Sequence, residues 1–145
     1  MASYVKFQDF AEQLLKGHHG NLDTSDIKVA LTNTLPVNTQ TSFDPTTNHA
    51  APGAANGYTA RGNTVAGTVS ESGGTAKLVL ADTTWTATTG GIGPIQYAVL
   101  YSEDPTAAPA DPLIAYWDYG SSITIANGET FTVDFDDTAG VLTLA

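Results

Sequence analysis

The chain from residue 58 onward is a succession of short segments in which apolar and polar residues alternate. An alternation with a period of two is typical of β-strands that face a core on one side and solvent on the other. Turn-forming residues, mainly Gly, Asn, Asp and Pro, separate the segments. The segments are YTARGNTV (58–65), AGTVSES (66–72), AKLVLAD (76–82), TTWTAT (83–88), PIQYAVLY (94–101), PLIAYWDY (112–119), SSITIA (121–126), ETFTVDF (129–135) and VLTLA (141–145).

Together with a first alternating segment at residues 27–33, IKVALTN, this pattern predicts an all-β protein. The number and spacing of the segments favour an antiparallel β-sandwich or jelly-roll of about eight strands, with a closed barrel as the alternative. Asn127-Gly128 stands between two alternating segments and predicts a tight hairpin, because both turn positions require a positive φ. The length of 145 residues predicts one domain spanning residues 1–145.

The N-terminal segment at residues 4–16, YVKFQDFAEQLLK, is predicted to form a helix. Its apolar residues have the spacing of one helical face, and they are Phe7, Phe10, Ala11, Leu14 and Leu15. Ser3 is placed to cap the start of this helix, and Gly17 is placed to end it in the left-handed conformation. So short an amphipathic helix is not stable alone, so we expect it to pack on its own domain or on a neighbouring subunit.

Residues 33–57 form a segment with three prolines and almost no periodicity. Structureless connections of this length are uncommon in compact domains and are usually functional or mobile. The segment has few apolar residues with which to hold itself in place. We therefore expect a long loop or an extended arm that becomes ordered through contacts with another subunit.

Residues 90–94, GGIGP, have the look of a glycine-rich phosphate-binding loop. The dinucleotide fingerprint requires a third glycine and a following helix. Here Gln96 occupies the place of the third glycine, and the residues that follow alternate as a strand does. We interpret GGIGP as the turn before a buried strand and expect no nucleotide cofactor.

The charge of the chain is strongly acidic and unevenly distributed. The formal net charge is −10, and residues 78–145 contain nine acidic residues and no Lys or Arg. Such a surface repels phosphate backbones and anionic lipids, so we expect neither nucleic acid nor membrane as a partner. A neutral or basic protein surface is the better partner. The N-terminus lacks the apolar stretch of a signal peptide, so we expect the chain to stay in the cell that makes it unless it leaves within a larger assembly.

Two groups of residues raise the question of a metal site. His18, His19 and His49 fall at no ligand spacing typical of zinc, and we interpret them as surface histidines beside a helix end. The absence of cysteine excludes thiolate sites. Residues 134–140, DFDDTAG, match a calcium loop only in part, and a strand end followed by a polar turn explains the same residues. We assign no metal ligand.

Residues 115–120, AYWDYG, place aromatic residues beside a carboxylate, as many sugar sites do. On a strand, Trp117 and Tyr119 would share one face, with Tyr116 and Asp118 on the other. Asp118 and Glu129 could be proposed as an acid pair for glycoside hydrolysis, but the sequence does not set their separation. No Gly-x-Ser-x-Gly elbow is present. We assign no catalytic residue.

Read together, three stretches resemble a family of small structural proteins of tailed bacteriophage particles. They are IKVALTNTLPVNTQT (27–41), residues 76–105 from AKLVLAD to YSEDP, and residues 112–145 from PLIAYWDYG to VLTLA. The resemblance implies a virion protein without enzymatic activity, assembled in the host cytoplasm. It further implies a capsid decoration or cement protein that binds the major capsid protein on the outer head. It transfers no functional residue.

Two other functions stay open at this point. One is a head-fibre or tail-associated protein that binds a host receptor or a glycan, and the other is a small hydrolase. A glycan-binding protein would use Trp117 or Tyr119, whereas a hydrolase would lose its activity in the variants Asp118→Asn or Glu129→Gln.

We predict a symmetric homo-oligomer, namely a trimer. Decoration proteins of this kind occupy symmetry axes of the capsid lattice, and a small domain gains binding strength by engaging several sites at once. Measurement of the mass in solution, combined with imaging of particles, tests this expectation. Monomers in solution together with isolated monomers on the particle would contradict it.

Overall fold

The computed structural model describes residues 2–23, 26–52 and 56–145. All strand pairs in these ranges are antiparallel. The protein is therefore mostly antiparallel β-structure with one short helix, as the alternation predicts. In chain order the elements are β1 (Ser3–Lys6), α1 (Phe10–Leu15), β2 (Ile27–Thr32), β3 (Asn63–Val65), β4 (Gly67–Ser72), β5 (Thr75–Leu80), β6 (Thr83–Thr86), β7 (Ile92–Ser102), β8 (Leu113–Ile125), β9 (Thr130–Val133) and β10 (Leu142–Leu144).

The largest sheet has five strands in the order β1-β8-β7-β2-β3. Its central strand β7 is apolar on both sides, which is typical of a strand that is covered on both faces. Side chains from β7 enter two separate clusters of buried residues, with Ile95, Ala98 and Leu100 in the first cluster and Tyr97, Val99 and Tyr101 in the second. Both faces of the five-stranded sheet are therefore part of the core.

The first face of this sheet packs through the first cluster against residues of two smaller sheets. These are a three-stranded sheet in the order β10-β5-β4 and a two-stranded sheet of β6 and β9. Leu80 of β5 and Trp85 of β6 are buried in the first cluster with Val29 of β2. The apolar sides of β5 and β6 thus have partners across the core.

The second face is covered by part of the 33–57 segment, which is predicted as a long loop or an extended arm. Phe43 of this segment is buried in the second cluster with Phe7 and Tyr101. Phe43 N donates to Asp111 O at 2.9 Å, and Leu113 N donates to Thr41 O at 3.2 Å. The described part of residues 33–57 is therefore a long loop folded back on the sheet, not an extended arm. Residues 53–55 of that prediction lie outside the described residues.

The N-terminus differs from the helix predicted at residues 4–16. Residues Ser3–Lys6 form β1, which pairs with β8 with Tyr4 opposite Trp117. The helix begins only at Phe10, after Asp9 rather than Ser3, and its N-cap makes no side-chain hydrogen bond. The edge of β8 supplies backbone partners that a longer helix would leave unpaired, which accounts for the difference. Gly17 follows the helix with a φ of 77°, as predicted.

The hairpin predicted at Asn127-Gly128 is wrong. The residues on its two sides belong to different sheets, because β8 pairs with β7 whereas β9 pairs with β6. Of the two turn residues only Gly128 has a positive φ, at 85°. Trp85 lies opposite Phe131 in the pairing of β6 and β9. Pairing with β6 lets β9 cover the buried Trp85. This long-range packing outweighs the local preference of Asn127-Gly128 for a tight hairpin turn.

Two strand boundaries also differ from the predicted segments. The segment 58–65 forms a strand only at Asn63–Val65, since Arg61 and Gly62 both have a positive φ and turn the chain. The segments 112–119 and 121–126 form one strand, β8, whose register with β7 shifts between residues 118 and 123. Gly120, with a φ of 94°, lies in this bulge.

We predict that Gly62→Ala destabilises the protein much more than Gly73→Ala. Both glycines have a positive φ, but a Cβ on Gly62 would lie 2.0 Å from Val29 O, whereas a Cβ on Gly73 would meet no atom within 4 Å. We expect urea denaturation to show a loss of about 1 kcal/mol for Gly73→Ala, from backbone strain alone. For Gly62→Ala we expect a loss above about 3 kcal/mol. Equal losses for the two variants would contradict the close packing of the 59–62 turn on β2.

Candidate functional site

A groove of about 510 Å³ lies between β8 and the chain that runs through β9. Leu31 of β2 and both Ile95 and Ala98 of β7 line this groove and are buried. They belong to the first cluster, so the base of the groove is the edge of the core. We call this feature the aromatic groove, because five of its described lining residues are aromatic, namely Tyr97, Trp117, Tyr119, Phe131 and Phe135.

Four of these rings meet as two pairs, with Trp117 and Tyr119 on β8, Phe131 on β9 and Phe135 two residues after β9. The ring centroids of Trp117 and Phe135 are 5.5 Å apart at an interplanar angle of 66°. Those of Tyr119 and Phe131 are 6.1 Å apart at 73°. Both pairs have the edge-to-face geometry that aromatic quadrupoles favour. The predicted placement of Trp117 and Tyr119 on one face of a strand is confirmed, since both side chains line the same groove.

Polar groups lie at the margin of the aromatic groove. Gln96 lines it, and its Nε2 donates to Asp118 Oδ1 at 3.0 Å. Asp134 also lines the groove, is exposed, and has no hydrogen bond or ion pair with a described residue. No Lys, Arg or His occurs among the described residues of the lining. The groove therefore offers hydrogen-bond partners and negative charge without positive charge.

The carboxylates considered for glycoside hydrolysis both take part in local backbone structure. Asp118 Oδ1 accepts the N–H of Gly120 at 2.7 Å in addition to the Gln96 amide. Glu129 Oε2 accepts the N–H of Ala126 at 2.9 Å and closes the turn before β9. Neither carboxylate is among the residues that line the aromatic groove. The structure does not bring the two into one cleft, and the hydrolase hypothesis gains no geometric support.

The prediction of surface histidines is wrong for two of the three. His19 and His49 are buried, while His18 is half-buried. His19 Nδ1 lies 2.8 Å from Ser102 Oγ, and His49 Nδ1 accepts the N–H of Asp44 at 3.1 Å. The ring of His49 also stacks on Phe43 at a centroid distance of 5.2 Å. No sequence pattern marks these positions, because His19 and His49 both lie in irregular segments where periodicity does not indicate burial.

Burial changes the protonation of both histidines. Removal from water lowers the pKa of His19 to about 4, and it lowers the pKa of His49 to about 4 as well. The Nε2 atoms of both rings are buried and have no hydrogen-bond partner among the described residues. Both imidazoles are therefore neutral in the folded protein at neutral pH.

The residues of the proposed calcium loop form a turn instead. Asp136 Oδ1 accepts the N–H groups of Thr138 at 2.8 Å and Ala139 at 2.7 Å. Gly140 N donates to Asp136 O at 2.8 Å. The hydrogen bonds from Ala139 and Thr138 lower the pKa of Asp136. Within the part of the chain that the structure describes, no three His, Cys, Asp or Glu residues are grouped as metal ligands.

An ion network that the sequence pattern did not indicate lies on the second face of the five-stranded sheet. Arg61 forms ion pairs with Asp111 and, at 3.5 Å, with Glu103. The guanidinium carbon lies 5.7 Å from the ring centroid of Phe43 and 5.8 Å from that of Tyr101. The network connects a turn, a strand and the long loop, so its role is structural.

Comparison of the chain with models of protein families, with curated proteins and with solved structures found no match. Among the described residues, no helix is long and apolar enough to cross a membrane. We therefore infer a function from the chemistry of the aromatic groove and of the protein surface.

We predict that the protein loses stability as the pH falls from about 6.5 to about 4. In this range the unfolded chain binds protons at His19 and His49, whereas the folded state keeps both neutral because their pKa values are about 4. The stabilising effect is complete above pH 6.5 and is lost as the pH approaches 4. Each histidine should contribute a loss of about 3 kcal/mol, which denaturant titrations at a series of pH values would measure.

The variant His49→Asn keeps a hydrogen-bond acceptor but has no titrating group, so it should lose about 3 kcal/mol less than the wild type over this pH range. The variant His18→Asn serves as the control, because His18 is half-buried. An identical pH dependence in the wild type and in His49→Asn would contradict a buried neutral His49.

Proposed function

We propose that this protein is a structural component of a tailed bacteriophage particle, a decoration protein that binds the major capsid protein on the outer surface of the head. The resemblance noted in the sequence supports this proposal. The structural observation that carries it is a pair of exposed aliphatic side chains on a fixed turn. Leu35 is 59% exposed and Val37 is 50% exposed.

The turn at residues 35–40 is held by its own hydrogen bonds and by the N-terminal segment. Gln40 N donates to Val37 O at 2.9 Å, and Val37 N donates to Gln40 Oε1 at 3.0 Å. Gln8 N donates to Asn38 O at 2.9 Å. Because the turn is ordered before any partner binds, docking costs little conformational entropy. Exposed apolar groups on an ordered turn suit the contact core of a protein interface.

The charge distribution favours a protein as the partner over nucleic acid or an anionic membrane. Three of the five basic residues form ion pairs with acids of this chain, namely Lys16 with Glu12, and Lys28 and Arg61 with Glu103. With a net charge of −10, the surface favours a neutral or basic face of the partner and disfavours nucleic acid and anionic membrane. Acidic residues then steer the approach, and apolar contacts hold the bound state.

The proposal also covers the fold type, the oligomeric state and the location of the protein. The two smaller sheets that pack over the first face of the five-stranded sheet support a β-sandwich or jelly-roll assignment. A homotrimer on a symmetry axis of the head would present several copies of the 35–40 turn at once. We propose attachment without enzymatic activity, and a location in the virion after assembly in the host cytoplasm.

The double variant Leu35→Ser/Val37→Ser tests the attachment surface. Purified protein is added to particles that lack it, and the number of bound copies is measured. Since burial of each aliphatic side chain contributes about 1.5–3 kcal/mol, the double variant should bind at least about tenfold more weakly. Folding should be unaffected, because both side chains are exposed.

The matched control is Val69→Ser, because Val69 is 43% exposed on β4, outside the 35–40 turn. It should bind as the wild type does. Equal binding of the double variant and the wild type would overturn the proposed surface. Binding of the wild type only to the tail or to one vertex would overturn the decoration function.

A further inference from the structure

We propose that the aromatic groove binds a neutral saccharide. This site is separate from the 35–40 turn, and the proposal does not depend on attachment to a capsid. It names a ligand class for the pocket between β8 and β9 and makes the protein a carbohydrate-binding module as well as a structural one.

The aromatic rings of the groove supply the apolar part of such a site. Trp117 and Phe131 are half-buried, and Tyr119 is 54% exposed. Large aromatic side chains that are left in contact with water around a concave surface are typical of binding sites. The C–H face of a pyranose ring packs on an aromatic face in the same way as an aliphatic side chain does. Trp117, Tyr119 and Phe131 thus offer accessible ring surface to a flat, partly apolar ligand, and the buried Phe135 packs edge-on against Trp117.

The polar groups at the margin supply the orienting part. A sugar hydroxyl both donates and accepts hydrogen bonds, and it pairs well with carboxylates and amides. Asp134 is an exposed acceptor without a partner among the described residues, and a hydroxyl that donates to a carboxylate makes a charge-assisted hydrogen bond. Gln96 is held in place by its bond to Asp118 Oδ1 at 3.0 Å. A few fixed polar groups around an apolar base are the usual composition of a small-ligand site.

Charge decides which saccharides the groove accepts. With Asp134 present and no Lys, Arg or His among the described lining residues, phosphorylated, sulfated and carboxylated sugars lack a counter-charge. A lysine or arginine side chain of a peptide is the competing ligand. Asp118, the other nearby carboxylate, does not line the groove, so Asp134 is the one carboxylate among the described lining residues that could pair with a cation. The combination favours a neutral, hydroxyl-rich ligand.

The size of the groove agrees with this ligand class. Its volume of about 510 Å³ lies within the range of about 300–1,000 Å³ that small-ligand pockets occupy. The buried side chains of Leu31, Ile95 and Ala98 at the base belong to the core, so the platform is formed without the ligand. A preformed site requires little reorganisation when a ligand binds.

Tryptophan fluorescence and a glycan array test the proposal on the purified protein. The chain has two tryptophans, Trp85 and Trp117, and only Trp117 lines the groove while Trp85 is buried. In the variant Trp85→Phe the emission therefore reports on Trp117 alone. The array presents neutral oligosaccharides of glucose, galactose, mannose and N-acetylglucosamine beside sialylated and sulfated ones. We expect binding to one or more neutral glycans, and a saturable change of Trp117 emission with the same soluble sugars at micromolar to millimolar concentration.

Two pairs of variants locate the site. Tyr119→Ala should weaken binding at least about tenfold through the loss of an aromatic platform, whereas Val69→Ala on β4 should bind as the wild type does. Asp134→Asn should weaken binding several-fold because the amide oxygen is a weaker acceptor than the carboxylate. Asp137→Asn is its matched control, since Asp137 is exposed in the following turn and does not line the groove.

Circular dichroism establishes that each variant is folded. Binding of no neutral glycan at millimolar concentration, binding of acidic glycans alone, or binding of Lys- and Arg-containing peptides on a parallel array in place of glycans would overturn the proposal. Wild-type glycan binding by folded Tyr119→Ala and Asp134→Asn would also overturn it.

Discussion

The stacking of Phe43 on Tyr101 beneath the Arg61 guanidinium is the interaction on which the rest of the structure depends. The two rings are nearly parallel, at an interplanar angle of 2° and a centroid distance of 4.0 Å. Arg61 lies over both rings and pairs with Asp111, while Tyr101 OH donates to Arg61 O at 2.8 Å. Parts of the chain that are far apart in sequence meet here. A cation held by aromatic faces and carboxylates replaces the regular backbone pairing that the long loop lacks.

This contact explains why the five-stranded sheet has two buried faces. With Phe43 in place the loop covers the second face, and the first face is left for the two smaller sheets. The first face closes over Trp85, and at its margin the ring of Trp117, packed on the buried Phe135, remains partly open in the aromatic groove. The same loop presents the 35–40 turn at the surface. The elements that cover the two faces of the sheet therefore form both proposed binding surfaces, the 35–40 turn and the aromatic groove.

The sequence shows which residues form strands better than which strands pair. Alternation with a period of two locates β2, β5 and β6 well, because it reflects burial of one side of each strand. It contains no information on the partner, so it could not show that Phe131 pairs with β6 rather than with β8. The same holds for the groove, where Trp117 and Tyr119 share a strand and were predictable together. Phe135 comes from another segment and reaches the groove only through sheet packing.

Hydrogen exchange of the free protein, measured residue by residue, tests the central claim that the long loop is a built-in part of the fold. The amide of Phe43 donates to Asp111 O at 2.9 Å, and that of His49 donates to Asp44 O at 2.8 Å. Both residues are buried. The account predicts that these two amides exchange about as slowly as those of β2, which require global unfolding to exchange. Exchange at the rate of an unstructured chain, with protection appearing only after assembly with other subunits, would contradict it.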